Sequence, residues 1–257
     1  MPQDQKMSGV LAPVVTPFTE TLAPDPDRLI RHCRWLLSQD CGLAVFGTNS
    51  EANSMSVDEK IGLLDALVDA GIDTGRMMPG TGACAIPDTV RLTSHVVKRG
   101  CAGVMMLPPF YYKGVSDEGL FRAFSEVIER VGDPRLKIYL YHIPPVAQVP
   151  ITLALIERLL AAYPDAVVGV KDSSGDWSNT RMLIEIAMSR NGATPELSYG
   201  THFFQDLIES KIYPLALYPD TPGDVYNWEF LKRAPNLLPK ILPQDNSNGD
   251  YIKVIDL

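Results

Sequence analysis

A lysine stands at the end of an apolar segment, where its amine could act as a nucleophile. The segment AVVGVKDSSGDW covers residues 166–177, and Lys171 directly follows its apolar part. A lysine in such a place usually extends its amine to water and has no further role. If the surroundings are dry instead, the ammonium form is destabilised and the pKa falls, so the free amine can attack a ketone. After loss of water, the product of that attack is a Schiff base.

Other polar groups also follow apolar segments, each at the point where the segment ends. Tyr141 closes KIYLY, the turn GTNSE (47–51) follows GLAVF, and PPFYY (108–112) follows GVMML. A phenol beside a Schiff base could act as general acid and base. The N–H and hydroxyl groups of a Gly-Thr-Asn-Ser turn suit a carboxylate. This set of groups indicates chemistry on a 2-oxo acid.

Each of these groups, taken alone, also has an ordinary structural explanation. Tyr141 could be an amphipathic strand residue, and GTNSE could be only a turn, because its residue types favour turns. The PPFYY segment could stiffen a loop or line an oligomer contact. The coincidence of all the groups at strand ends favours a shared site, since in a parallel barrel those ends meet at one mouth.

Short apolar segments alternate with amphipathic stretches, a pattern typical of a parallel α/β fold. The predicted strands are residues 10–15, 42–47, 76–80, 103–108, 137–143, 166–170 and 196–200. Helices are predicted to follow the N-caps Asp25, Ser56 and Ser116 and to cover residues 152–162 and 178–190. Seven βα units favour a (β/α)₈ TIM barrel over an open doubly wound sheet, because no GxGxxG motif follows the first strand.

Composition limits the partners and the compartment. The formal net charge is −8, which opposes binding to nucleic acid or to an anionic membrane and favours a small-molecule ligand. The first nine residues lack the apolar core of a signal peptide, and no segment is long enough to span a membrane. A cytoplasmic location is therefore expected.

Cysteines and histidines give no sign of a metal site. The cysteines, which show no CxxC pair and are predicted to be free thiols, are Cys33, Cys41, Cys84 and Cys101. The histidines, which are scattered through the chain, are His32, His95, His142 and His202. Only His142 lies near the predicted mouth, and it should alternate away from Tyr141 into a packing role. No metal is therefore expected, and chemistry through a lysine Schiff base needs no organic cofactor.

These segments resemble those of the pyruvate-dependent class I aldolases and lyases, the family of dihydrodipicolinate synthase and N-acetylneuraminate lyase. The matching segments, in family order over about residues 8–205, are GVLAPVVTPF, GTNSEANSMS, LPPFYYKGVSDEGL, YLYHIPP and VVGVKDSSGD. The resemblance implies a (β/α)₈ barrel that assembles as a homo-oligomer, either a dimer or a tetramer. It also implies carbon–carbon bond cleavage or formation through a lysine Schiff base with pyruvate or a pyruvate-derived 2-oxo acid.

The resemblance assigns roles to individual residues. Lys171 would form the Schiff base, and Tyr141 would shuttle protons with its hydroxyl linked to that of Thr48. Thr48 would also bind the substrate carboxylate.

Further residues are predicted to contact the substrate or a neighbouring subunit. Asn49, which stands where the family often has a second threonine, and Gly47 would bind the substrate carboxylate. Gly200, at the end of ELSYG, is predicted as another substrate contact. One tyrosine would reach into a neighbouring subunit's site and complete the proton relay; Tyr111 is favoured, and Tyr112 stays open.

Two departures from the family pattern affect the functional prediction. Val146 stands near the place of an arginine that pairs with aspartate semialdehyde in dihydrodipicolinate synthases, which favours a 2-keto-3-deoxy sugar acid or a related 2-oxo acid. Residues 1–211 are predicted as the barrel body, and residues 212–257 as a divergent segment in which Ile212–Tyr218 could replace the eighth strand. A dihydrodipicolinate synthase-like condensation and a catalytically silent barrel remain the alternatives.

Overall fold

The structure is a computed structural model that describes residues 10–190 and 253–256. The strands are β1 (Leu11–Pro13), β2 (Gly42–Ala44), β3 (Val104–Met106), β4 (Ile138–His142), β5 (Val167–Asp172) and β6 (Lys253–Asp256). The α-helices are α1 (Pro26–Ser38), α2 (Val57–Asp69), α3 (Ile86–Lys98), α4 (Asp117–Val131), α5 (Pro144–Ala147), α6 (Leu153–Ala162) and α7 (Trp177–Arg190). The predicted strand 196–200, the segment Ile212–Tyr218 and the boundary at residue 211 lie outside the described residues.

The strands from β1 to β5 follow one another in parallel, in chain order. β1 pairs with β2, and β3 pairs with β4, which pairs with β5. The predicted strand 76–80 joins the two groups through parallel bridges from Leu43 to Met77 and from Gly80 to Met105. A helix follows nearly every strand, as expected for βα units.

β6 departs from this parallel order. It pairs with β5 in the antiparallel direction, with Lys171 opposite Val254. β6 belongs to the segment 212–257, whose divergence from the family pattern was predicted from sequence. One edge of the strand that carries Lys171 is therefore covered by the end of the chain.

Two apolar clusters separate the two faces of the sheet. The larger cluster joins strand residues to α1, α2, α3, α4 and α6, and we call it the helix layer. The smaller cluster takes its buried residues from the strand positions only, and we call it the inner face. Its buried members are Leu11, Ala44, Met78, Met105, Tyr139, Tyr141 and Val168. The inner face is therefore the side of the sheet that is turned away from the helices.

The helices begin where local side chains cap them. The Asp25 carboxylate accepts the Arg28 N–H, and Ser56 and Glu59 form a reciprocal capping box at α2. At the start of α4, the Ser116 hydroxyl accepts the Gly119 N–H. These three caps confirm the predicted helix starts, whereas α3 was not predicted from sequence. No helix within residues 10–190 combines the length and the apolar character that a bilayer span requires.

Candidate active site

Lys171 lies on the inner face, next to the ring of Tyr141. Its side chain is only 5% exposed, and its Nζ lies 3.5 Å from the centroid of the Tyr141 ring. The two residues are opposite each other in the β4–β5 ladder. The lysine of the predicted site is therefore buried rather than extended into water.

An irregularity in β5 brings Lys171 to this face. Ile138 is opposite Val167, but Tyr139 is opposite Gly169, so β5 contains one more residue than β4 at this point. An extra residue of this kind shifts the alternation of side chains along a strand. Val168 belongs to the inner face, and Lys171, three positions later, contacts that face as well.

The phenol of Tyr141 links Lys171 to the turn that follows β2. Tyr141 is 2% exposed, and its hydroxyl donates to Thr48 Oγ1 over 3.2 Å. Thr48 lies 93 positions away in the sequence. The structure thus brings together Lys171, Tyr141 and Thr48, whose proximity was predicted from sequence.

The turn from Gly47 to Ser50 is compact and partly exposed. The Gly47 carbonyl accepts the N–H groups of Ser50 and Ala52 at 3.1 and 3.2 Å. Gly47 is buried, Thr48 is half-buried and Asn49 is exposed. The side chain of Asn49 is therefore open to solvent, and Thr48 is the member of the turn that reaches the phenol.

Tyr111 and Tyr112 lie on the surface, and the structure gives no contact between either ring and Lys171 within the described residues. They are 72% and 68% exposed, and their rings meet edge to face with centroids 5.2 Å apart. Lys113 fixes their loop by donating from Nζ to the carbonyls of Phe110 and Ala147. Such exposed aromatic rings are typical of residues that contact a second chain.

His142 faces the opposite side of β4 from Tyr141, as the strand alternation predicts. It is buried, and its Nδ1 accepts the Ile151 N–H over 3.0 Å. Burial lowers its pKa, and the negative charge of Asp172 partly opposes that change. Asp172 is also buried and accepts hydrogen bonds from Ser174 and Thr180. These contacts give His142 a structural role beneath the site.

Two residues near the site were not singled out from the sequence. Glu51 accepts the Thr16 N–H over 2.8 Å, and the Thr16 hydroxyl donates to the Ser50 carbonyl. Both residues lie within segments that match the family, GVLAPVVTPF and GTNSEANSMS. Their contact joins loops 35 positions apart. Gly200 and His202 lie outside the described residues.

Thiols and metal ligands play no visible part in this region. Burial raises the pKa of Cys33 and of Cys101 to about 12, which makes both thiols poor nucleophiles. All four cysteines are free, as predicted. Across residues 10–190, no three His, Cys, Asp or Glu side chains are grouped closely enough to hold a metal ion.

Comparisons with known proteins identify similar chains. The profile of the Dihydrodipicolinate synthetase family matches residues 6–191. An uncharacterised DapA-like lyase of Chloroflexus aurantiacus is 36% identical over 180 residues, which cover 69% of this chain and 59% of the relative. A 4-hydroxy-tetrahydrodipicolinate synthase of Desulforamulus reducens is 32% identical over 178 residues, which cover 69% of this chain and 58% of the relative.

A solved structure shares the fold. The crystal structure of dihydrodipicolinate synthase from Agrobacterium tumefaciens matches with a TM-score of 0.67 and 37% identity, over 69% of this chain and 62% of that one. This likeness confirms the predicted (β/α)₈ barrel class, with an atypical C-terminal part in which β6 runs antiparallel. The matched region spans less than two thirds of the length of these relatives.

Proposed function

Because the chain belongs to the Dihydrodipicolinate synthetase family, we propose that it is a Schiff-base-forming aldolase or lyase acting on pyruvate or another 2-oxo acid. The observation that carries this proposal is the position of Lys171. Its amine is buried beside the phenol of Tyr141, which in turn contacts Thr48. Lys171, Tyr141 and Thr48 all lie in segments that match the family motifs, which supports the same type of chemistry in this chain.

The first chemical step is the attack of the neutral amine on the ketone carbon. Burial favours the neutral amine because it removes water from the ammonium form, whereas the Tyr141 ring face favours the cation. The new C–N bond forms as the carbonyl π bond opens, and a proton passes from the nitrogen to the oxygen to give a carbinolamine. That hydroxyl then leaves as water, with a proton from a neighbouring acid, and the protonated imine remains.

Tyr141 is the group placed to move these protons. Its hydroxyl already donates to Thr48 Oγ1, so the phenol is oriented and its proton has a path towards the turn. In aldol cleavage, the tyrosinate that remains after the phenol has given its proton to the leaving water would take the proton of the substrate hydroxyl as the C–C bond breaks. The electron pair of that bond passes into the protonated imine and forms an enamine. The enamine carbon then takes a proton, and water hydrolyses the resulting imine to pyruvate and the free lysine.

The substrate carboxylate would lie against the turn from Gly47 to Asn49. The Thr48 hydroxyl and the Asn49 amide are donors on that turn, and Asn49 is exposed and free to approach a ligand. The exposed Val146 on α5 offers no positive charge. A substrate whose aldehyde portion carries hydroxyls rather than a second carboxylate therefore fits this region best.

The alternative is a catalytically silent barrel of the same family. The observation that favours it is the antiparallel pairing of β6 with β5, which differs from the parallel order of the other strands. A changed neighbour beside Lys171 could alter access to its amine.

We also propose that the chain uses no metal or organic cofactor, acts in the cytoplasm and forms a homo-oligomer through the Tyr111–Tyr112 surface.

Trapping with borohydride tests the proposal directly. The protein is incubated with pyruvate and sodium borohydride, and the adduct is measured by intact mass and located by peptide mapping. We expect one reduced adduct on Lys171 and none in Lys171→Ala. Lys60 provides a matched control, because it is also buried and its pKa is lowered by burial. Lys60→Ala should still form the adduct, whereas a folded wild-type protein without adduct would favour the silent barrel.

A substrate panel then narrows the reaction. Release of pyruvate is measured from several 2-keto-3-deoxy sugar acids, and condensation is measured with pyruvate and aspartate semialdehyde. We expect the sugar acids to be cleaved and the condensation to be slow. The Val146→Arg variant should gain activity with the semialdehyde, because arginine can bind its carboxylate with two hydrogen bonds. Efficient condensation by the wild type would instead favour the synthase alternative.

A further inference from the structure

The turn that carries Thr48 lies between two residues in the left-handed backbone conformation. Phe46 has a φ of 58° and Glu51 a φ of 53°. Residues other than glycine rarely adopt this conformation, and bulky ones do so at a cost in strain. Such strain persists only where surrounding contacts hold the backbone, so both ends of the turn must be held by their neighbours.

The first end is held by close packing against the neighbouring strand segment. Phe46 is buried, and the Gly80 N–H donates to the Val45 carbonyl over 2.8 Å. A Cβ atom on Gly80 would lie 2.1 Å from the Phe46 carbonyl oxygen. Only glycine permits this approach, and the carbonyl of Phe46 is thereby fixed just before the turn.

The second end is held by the side chain of Glu51. Its Oε2 accepts the Thr16 N–H over 2.8 Å, and Thr16 Oγ1 donates to the Ser50 carbonyl over 2.7 Å. Thr16 and Ser50 are both buried. The hydrogen bond to the half-buried Glu51 carboxylate is stronger than one between neutral groups, and water competes poorly for the buried bond between Thr16 and Ser50. The loop after β1 thus holds the far end of the turn.

From this geometry we propose that Glu51 and Thr16 are positioning residues for the proton relay. They act through Thr48, whose hydroxyl accepts the hydrogen bond of the Tyr141 hydroxyl and lies on a turn that is fixed at both ends. This inference rests on the proposed function, because positioning has a catalytic consequence only if Tyr141 moves protons. Glu51 itself does not reach the reacting atoms: it sets the place of the hydroxyl that orients the phenol.

The experiment compares two glutamates that make the same kind of bond. Glu59 Oε2 accepts the Ser56 N–H over 2.8 Å, as Glu51 Oε2 accepts the Thr16 N–H, but Glu59 caps α2 away from the site. Glu51→Ala should lower kcat by roughly 10- to 100-fold, the scale of lost positioning. The borohydride adduct on Lys171 should persist. Glu51→Gln should recover most of the rate because its amide oxygen can accept the same N–H, and Glu59→Ala should leave kcat unchanged.

Hydrogen exchange provides a readout that does not depend on activity. The N–H groups of Ser50 and Ala52 both donate to the Gly47 carbonyl. Their exchange should become faster in Glu51→Ala and should stay at the wild-type rate in Glu59→Ala. If wild-type protein forms no adduct, the proposed function fails, and exchange alone decides whether Glu51 holds the turn. Unchanged exchange in Glu51→Ala would overturn the inference, as would an unchanged kcat in an active enzyme.

A second pair of variants covers a failure of Glu51→Ala to fold. Thr16→Ser keeps the hydroxyl that donates to the Ser50 carbonyl, and Thr16→Val removes it while keeping the side-chain volume close. The valine variant should show faster exchange at Ser50 and a lower kcat, and the serine variant should resemble wild type. Equal behaviour of the two variants would contradict the positioning role of Thr16.

Discussion

Two buried lysines, in two regions of the molecule, have different surroundings. Lys60 lies on α2, where burial lowers its pKa and the charge of Asp88 partly opposes the change. Lys171 lies at the inner face, with a phenol ring 3.5 Å from its amine and a threonine hydroxyl beyond that phenol. Burial alone therefore does not define an active site. What distinguishes Lys171 from Lys60 is the phenol beside its amine and the threonine hydroxyl that this phenol contacts.

The contrast between the two regions can first be tested by creating one cavity in the helix layer and one in the inner face. Leu64 in the helix layer and Met105 in the inner face are both almost completely buried. Replacing either by alanine should lower the free energy of unfolding by about 2–5 kcal/mol. The Met105 side chain approaches Gly47, so only Met105→Ala should also lower turnover.

Denaturant unfolding and steady-state kinetics at a temperature where both variants are folded measure these two effects. Leu64→Ala should keep wild-type kcat despite its lower stability. If Leu64→Ala loses as much turnover as Met105→Ala does, the helix layer affects the geometry of the site as strongly as the inner face does.

Removing the phenol oxygen should have a smaller effect on stability and a large effect on turnover. Tyr141→Phe loses the hydrogen bond to Thr48, worth about 1 kcal/mol of unfolding free energy. Without the hydroxyl, turnover should fall by roughly 10²-fold or more, the usual contribution of a positioned acid or base. Borohydride trapping should still detect the adduct on Lys171, since the aromatic ring remains.

Tyr139→Phe is the matched control for this change. Tyr139 is on the same strand, belongs to the same inner-face cluster and is equally buried. Its variant should keep most of the turnover, because Tyr141 is the tyrosine opposite Lys171 in the ladder. If the two variants lose equal amounts of turnover, the hydroxyl of Tyr141 is not the one that moves protons in the reaction.

Local patterns predicted much of this arrangement from the sequence. The apolar segments and N-caps were recognised because each depends on residues close together in the chain, as at Asp25 and Ser56. The juxtaposition of Lys171, Tyr141 and Thr48 was recognised because parallel strands bring their carboxyl ends together and because the motifs match a family.

Features that depend on distant partners escaped prediction. The extra residue in β5 exists only relative to β4, and the strand predicted to reach residue 47 ends at Ala44, before the left-handed Phe46. The bond between Thr16 and Glu51 crosses 35 positions. No local propensity records such a contact, because its energy comes from tertiary packing rather than from neighbouring residues.

The smallest expected effect concerns the pH dependence of stability and comes from His142, which lies on the strand between the helix layer and the inner face. It follows Tyr141 on β4 but faces the opposite side, where its Nδ1 accepts the Ile151 N–H. Protonation of Nδ1 would abolish that acceptor, in agreement with the lowered pKa that burial produces. The unfolded chain, with an ordinary histidine pKa of about 6.5, then binds more protons than the folded protein just below that pH.

The free energy of unfolding should therefore fall as the pH is lowered from about 7 towards 5, by about 1.4 kcal/mol for each unit by which the folded pKa is depressed. The loss should level off once the pH is below the folded pKa. His142→Asn keeps a hydrogen-bond acceptor near Nδ1 but does not titrate, so its unfolding free energy should depend less on pH. The pKa of His32 is also lowered by burial, so His32 contributes to the slope in the same direction, and the His32→Asn variant measures its share. An unaltered slope in His142→Asn would mean that His142 is not the group whose proton uptake destabilises this side of β4.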